Sequence, residues 1–326
     1  MSEPPVVQTL ALTKKFGEFL AVDSLDLSLE KGRILGLIGP NGAGKTTAIR
    51  ILVGLSRPSS GSAFIAGVDC AEDPQTIRRL VGFMPDTFGT YDNMRVREYL
   101  DFFGAAYKIP RPLRTKRIEQ CMELTGATYM RDRFVDALSH GMKQRVGIAR
   151  TMLHDPEVLI LDEPANGLDP QARIEMRKIL LRLSEMGKTL IVSSHILPEL
   201  SRICDTVAII SQGKLRVFGT LEEIKSRLNQ RRLMEVGLVE SSEVPLAVQM
   251  LRQLLGKDAE ITPSDAEAVV RFSTDISDSE LASLLTKISK DGLRVVQFRE
   301  TELDLEDAFL SVTKELQGGS GDRPGA

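Results

Sequence analysis

The chain has 326 residues, 42% of them hydrophobic, and a net charge of −3 with acids and bases mixed along it; that is enough for one large and one small domain and argues against an electrostatic grip on nucleic acid. Its three cysteines, Cys70, Cys121 and Cys204, share no C-x-x-C spacing, which excludes a disulfide frame or a thiolate zinc site and fits small core residues in a reducing compartment. The opening MSEPPVVQTL lacks the pattern of a signal peptide and no apolar run approaches the roughly 18 residues of a membrane span, so work at a membrane would require another subunit to cross it.

Residues 6–38 alternate apolar and polar positions, with turns at Phe16-Gly17 and Lys31-Gly32, and predict strands. ILGLIG (34–39) is a continuous apolar run entering a glycine loop, the pattern of a buried strand. A helix is expected from Lys45 to about Leu55, broken by Arg57-Pro58-Ser59-Ser60-Gly61, with strands again near Ala63–Ile65 and Arg79–Met84. From about Thr87 to Leu153 the periods turn helical: Val96, Tyr99, Leu100 and Phe103 share one face, and Ile118, Met122 and Leu124 mark another stripe.

Strands return at 157–162 and 188–194. Between them a helix starts at Asp169-Pro170 and stops at Gly187: an acid at the N-cap, proline at the first helical position and glycine just past the end. Thr220-Leu221-Glu222-Glu223 reads as a capping box opening one more helix. From about 231 to 316 the rhythm becomes strand, helix, strand, strand, helix, strand and a final helix at 303–316; its core is the β-α-β-β-α-β order of a ferredoxin-like unit. The tail QGGSGDRPGA is too polar to fold.

Two loops carry the chemistry. Gly39-Pro40-Asn41-Gly42-Ala43-Gly44-Lys45-Thr46-Thr47 fits G-x-x-x-x-G-K-[ST]. In such a loop backbone N–H groups wrap a nucleotide's phosphates, the lysine reaches the β- and γ-phosphates, and the Thr46 hydroxyl goes to Mg²⁺. LSHGMKQR (138–145) places Ser139 as a helix N-cap, so its hydroxyl and the Gly141 N–H stand at an anion-binding helix terminus. VLILDEP (158–164) is an apolar strand ending in two acids: Asp162 suits a second Mg²⁺ contact, and Glu163 is positioned to polarise a water aimed at the γ-phosphate. Two acids closing a strand would alone be unremarkable; after a P-loop they are a candidate site.

With these motifs the chain resembles the ATP-binding subunits of ABC transporters. LSHGMKQR is similar to the LSGGQ signature, with His140 in place of its first glycine and Met142 in place of its glutamine, while the serine and second glycine survive. VLILDEPANGLDP resembles the Walker B segment with its D-loop, Asn166 to Asp169. The resemblance implies that Phe16 stacks on adenine and that His195, in IVSSHI, hydrogen-bonds the γ-phosphate. It implies that Asp86, in GFMPDTFG, stands where many members carry the Q-loop glutamine and reaches the metal and the attacking water. It implies that Ser139 and Gly141 cover the nucleotide held by an opposite subunit. LEDAFLSVT (305–313) resembles the close of a C-terminal extension found in type-2 exporter ATPases.

The expected fold is therefore an α/β P-loop NTPase core over 6–230, with a helical subdomain at about 87–153, followed by a small α+β ferredoxin-like domain over 231–316 and a disordered tail at 317–326. Expected partners are an integral membrane permease, contacted through 87–100, and a second ATPase subunit, identical or homologous, in an ATP-dependent dimer. The expected place is the cytoplasm, peripheral on the inner face of the cell membrane, with no nucleic acid bound. The alternative is a soluble ABC-type ATPase acting on the ribosome or nucleic acid, but the paired ATPase units, coiled coils or basic segments usual in that class are not visible. A regulatory module with a dead site is opposed by the presence of Lys45, Asp162, Glu163 and His195.

Overall fold

The computed structural model describes residues 4–87, 89, 93–196, 200, 202–220, 222–224, 232–256, 259 and 261–301. The chain divides into two compact units, 1–221 and 222–326.

In the first unit an antiparallel sheet takes β1 (Val7–Phe16), β2 (Phe19–Leu29), β4 (Ser60–Ile65) and β5 (Val68–Asp69) in the order β2-β1-β4-β5. A second sheet takes β3 (Ile34–Ile38), β6 (Val81–Met84), β7 (Val158–Leu161), β8 (Thr189–Ser194), β9 (Thr206–Ser211) and β10 (Lys214–Thr220) in the order β10-β9-β3-β8-β7-β6. Every neighbour pair from β9 to β6 is parallel; β10 returns antiparallel on β9. Parallel strands covered on both faces need apolar residues at every position rather than alternation. ILGLI of β3 and VLIL of β7 meet that need, and all nine residues are buried. One core joins both sheets with α1 (Lys45–Leu52) and α2 (Pro74–Leu80): Leu12, Leu25, Leu35, Leu37, Ile49, Ile51, Ile77, Ile160 and Ile191 all belong to it.

The helical stretch holds α3 (Val96–Ala106), α4 (Arg111–Leu124) and α5 (His140–Met152). Val96, Tyr99 and Leu100 of α3 are buried together, as their spacing predicts. The helix α6 (Pro170–Glu185) begins as expected, with the Asp169 carboxylate accepting from Ala172 N and proline in the first turn. One expectation is corrected: Arg79 and Leu80 are not strand. Asp73 caps α2 through Thr76 N, Pro74 opens it, and the strand begins only at Val81. The strands β9 and β10 add to the sheet beyond the elements the sequence pattern predicts.

The second unit follows the predicted order: β11 (Arg232–Leu238), α7 (Val244–Leu255), β12 (Ile261–Ser264), β13 (Val269–Thr274), α8 (Asp278–Lys290) and β14 (Val295–Thr301). All its strand pairs are antiparallel, in the order β12-β13-β11-β14. Its own core gathers Met234, Val236, Leu251, Val270, Phe272, Leu284 and Ile288. The helix expected at 303–316 and the tail at 317–326 lie outside the described residues, as does most of the helix expected after Thr220. No helix among the described residues is long and apolar enough to cross a membrane.

Candidate functional site

A parallel sheet gathers the C-terminal ends of its strands along one edge, and loops leaving that edge build ligand sites. Here four adjacent strands deliver the expected residues there. β3 leads into the glycine loop and α1, β8 ends at Ser193, Ser194 and His195, β7 delivers Asp162 and Glu163, and β6 leads through Pro85 to Asp86. The result is a cavity of about 520 Å³ walled by Pro40, Asn41, Gly42, Ala43, Gly44, Lys45, Thr46, Thr47, Asp86, Glu163, Asn166 and His195, with Phe19 and Ala21 at its side.

Glycine is required at two places in the loop. A side chain at Gly39 would run into the Ile210 carbonyl, and one at Gly44 into that of Ala21; Gly44 also has φ +107°, a conformation that favours glycine. Gly44 caps α1 with no side-chain hydrogen bond, so the helix presents bare N–H groups at its start, a setting that favours phosphate.

Lys45 is 5% exposed and needs partners for its charge. Its Nζ donates to Gly39 O at 2.6 Å and Pro40 O at 3.4 Å, and stands 3.2 Å from Glu163 Oε1 in an ion pair. The second Glu163 oxygen, Oε2, is 2.9 Å from His195 Nδ1. Glu163 sits at φ +51°, a left-handed conformation uncommon for a residue with a side chain. Such strain, on the order of 1 kcal/mol, concentrates at functional sites; here it accompanies the turn by which the chain leaves β7.

Asp162 is 2% exposed and is held by two hydroxyls. Thr46 Oγ1 donates to its Oδ2 at 3.0 Å and Ser193 Oγ to its Oδ1 at 2.6 Å. Ser193 Oγ also accepts from Glu163 N at 2.8 Å, so one fully buried hydroxyl braces both acids. Ser193 was not singled out in the sequence; its only signal is its place two residues before His195. Asn166, the first D-loop residue, lies in the wall, donating from Nδ2 to Asp86 Oδ1 at 3.3 Å and from its backbone N to Glu163 O at 3.1 Å.

Not every expected residue lines this cavity. Phe16 is 55% exposed with the Lys14 ammonium 5.1 Å from its ring centre, and it is absent from the wall; Phe19, its cross-strand partner on the β1–β2 hairpin, is in it. Ser139 and Gly141 are also outside the wall: Ser139 caps α5, its Oγ accepting from Met142 N at 3.4 Å.

Among the described residues no group of three His, Cys, Asp or Glu side chains converges as a metal cage. The Thr46 hydroxyl and Asp162 carboxylate, with Asp86 nearby in the wall, nonetheless offer hard oxygens of the kind Mg²⁺ takes. Mg²⁺ bound beside a nucleotide keeps waters and phosphate oxygens in its shell, so one or two protein oxygens suffice and these residues fit it.

A sequence profile described as ABC transporter matches residues 22–166. The chain is 35% identical over 317 residues to the bacitracin transport ATP-binding protein BcrA of Bacillus licheniformis, covering 97% of this chain and 98% of the relative. It is 35% identical over 222 residues to the probable multidrug ABC transporter ATP-binding protein YbhF of Escherichia coli; that match covers 68% of this chain but only 38% of YbhF, a much longer protein. A solved ATP-binding subunit of an ABC transporter superposes with a TM-score of 0.63 at 28% identity, covering 69% of this chain and 93% of that one. With 35% identity to BcrA along nearly the whole of both chains, the chain belongs to the ABC transporter family.

Proposed function

We propose that this protein hydrolyses Mg-ATP to power export through a separate membrane permease. The observation that carries this reading is Glu163, held between Lys45 and His195 at the end of a buried strand beside the glycine loop. The loop N–H groups and Lys45 bind the nucleotide's phosphates. Lys45 donates to the Gly39 and Pro40 carbonyls and pairs with Glu163 by charge, so a phosphate that engages the ammonium competes with the Glu163 carboxylate for it. The freed carboxylate is then available to orient a water and receive its proton, while His195, whose Nδ1 faces Glu163 Oε2, keeps the carboxylate aimed. Thr46, Asp162 and Asp86 would hold Mg²⁺, which neutralises phosphate charge when bound. Water attacks the γ-phosphorus, the bond to the β-phosphate oxygen breaks, and ADP and phosphate leave.

Ser139 and Gly141 stand outside the cavity and serve the γ-phosphate of a second copy or a homologous subunit. ATP thus joins two subunits, and loss of the γ-phosphate loosens them. The protein works on the cytoplasmic face of the membrane, where the permease supplies the cargo path. That BcrA is named for bacitracin transport supports this class of work.

The test is a pull-down from native membranes with tagged Glu163→Gln protein and ATP. Recovery of a polytopic membrane protein is expected. Recovery of ribosomes or nucleic acid without one would replace this reading with that of a soluble ATPase.

A further inference from the structure

The polar contacts of the cavity continue past its wall. His140, in the first turn of α5, places Nε2 2.8 Å from the backbone oxygen of Asn166. Its ring neighbours the next residue, Gly167, where a Cβ would meet the imidazole in ordinary contact at 3.6 Å and where φ +68° favours glycine. Asn166 in turn donates from Nδ2 to Asp86 and from its backbone N to Glu163 O. One line of hydrogen bonds thus joins three segments far apart in the chain: the Ser139–Gly141 turn, the loop after β7 and the loop after β6.

The direction of the first bond is fixed by its acceptor. A carbonyl only accepts, so His140 Nε2 carries the hydrogen. The Gln144 amide stands 3.4 Å from the same nitrogen, and its Oε1 is buried without a partner. An amide turned to present that oxygen to the His140 N–H is consistent with this tautomer, since the two amide ends differ only in hydrogen bonding. The imidazole is what makes the link. The glycine that the LSGGQ pattern carries at this position has no side chain to reach Asn166, so the bond is a property of this chain's own sequence.

We infer that His140 is a positioning residue that ties the Ser139–Gly141 turn to Asn166 and, through Asn166, to Asp86. The inference rests on the ATPase reading above. In that reading Asp86 serves the nucleotide of its own subunit, whereas Ser139 and Gly141 serve the nucleotide of the other. The bridge therefore makes the turn that closes one site move with the acid of its neighbour.

The test uses the full chain with three substitutions: His140→Ala, which removes the bond; His140→Gln, whose amide nitrogen can reach the same carbonyl; and Asp86→Ala, alone and combined with His140→Ala. One neutral hydrogen bond is worth about 1 kcal/mol, a factor of roughly 2 to 10. His140→Ala is expected to lower kcat by that factor while KM for ATP stays within about twofold, and His140→Gln is expected to recover most of it. The double variant should fall less than the product of the single losses, because both changes cut one line. Hydrogen exchange on the nucleotide-free protein gives a readout independent of turnover: amides at 140–143 and 165–168 should exchange faster in His140→Ala and return to the wild-type rate in His140→Gln. Unchanged exchange and turnover in His140→Ala would overturn the inference, as would strict additivity with Asp86→Ala or failure of His140→Gln to recover. Those results leave the ATPase reading standing if the wild type hydrolyses Mg-ATP. Absence of that hydrolysis sinks the ATPase reading itself, while the exchange data still decide whether the bridge exists.

Discussion

Each of the two units holds a largely buried glutamate between two nitrogen-bearing side chains, with 12% of the Glu163 side chain and 6% of the Glu235 side chain exposed. In the first, Glu163 lies between Lys45 and His195. In the second, Glu235 accepts from Arg271 Nε at 2.8 Å and from Arg299 Nη2 at 2.7 Å. The surroundings separate them. Glu235 sits mid-strand in a regular ladder, directly across from Arg271 on β13 and Arg299 on β14, so the triad staples three neighbouring strands. Glu163 follows a strand end, in left-handed backbone, in the wall of a cavity, and one of its partners is a lysine from a phosphate-type loop. Buried charge alone therefore does not mark a site. Buried charge whose partner has another use, beside open space, does.

The largest expected effect breaks this comparison on its functional side. Glu163→Gln should lower ATP turnover by about 10³ through loss of the general base, with nucleotide binding kept, as phosphate release beside a binding titration would show. Lys45→Ala should instead weaken ATP binding by about 10- to 100-fold, the worth of one or two hydrogen bonds to charged groups, read by titration with a fluorescent nucleotide. Ser193→Ala removes the hydroxyl shared by Asp162 and the Glu163 N–H; a loss of about 1–3 kcal/mol in stability and about tenfold in kcat is expected, measured by denaturant unfolding and steady-state kinetics.

On the structural side, Glu235→Ala should cost about 2 kcal/mol of unfolding free energy, discounted because both arginines are partly exposed, and should leave ATP turnover unchanged. The pH dependence sharpens the same point. Burial raises the Glu235 carboxyl, but hydrogen bonds from Arg299 and Arg271 outweigh it and hold the group below its ordinary 4.5. A carboxyl lowered on folding contributes stability that is present above 4.5 and lost as pH falls through the folded value, so the wild type should lose stability there and Glu235→Gln should lose less. The smallest effect concerns His154, stacked on Tyr107 and kept neutral by burial, below its ordinary 6.5. Its neutral folded form gives stability that declines as pH drops below 6.5 toward the folded value, and His154→Gln should flatten that slope in thermal melts across pH 5–7.

Much of the phosphate-binding half of the site was legible because its information is local. Gly39, Gly44, Lys45 and Thr46 lie within one loop, and Asp162 and Glu163 close an unmistakable apolar strand. What escaped depends on which strands lie side by side. Ser193 braces Asp162 across 31 residues of sequence, and Asn166 meets Asp86 across 80, contacts set by the order β8-β7-β6 rather than by any spacing. Phe19 shows the limit of a motif position: the hairpin puts it in the cavity wall, while Phe16, the expected aromatic, lies outside it. Arg79 and Leu80 belong to a helix because Asp73-Pro74 opens it with the same acid-then-proline signal that opens α6 at Asp169-Pro170.

The central claim is that Glu163, held between Lys45 and His195, is the residue through which bound ATP is hydrolysed. The most direct measurement is Mg-dependent phosphate release by wild-type and Glu163→Gln protein at saturating ATP, with nucleotide binding followed in both. Release by the wild type and a loss of about 10³ in the variant at retained binding are expected. Equal turnover in the two proteins, or no Mg-dependent release by the wild type, would contradict it.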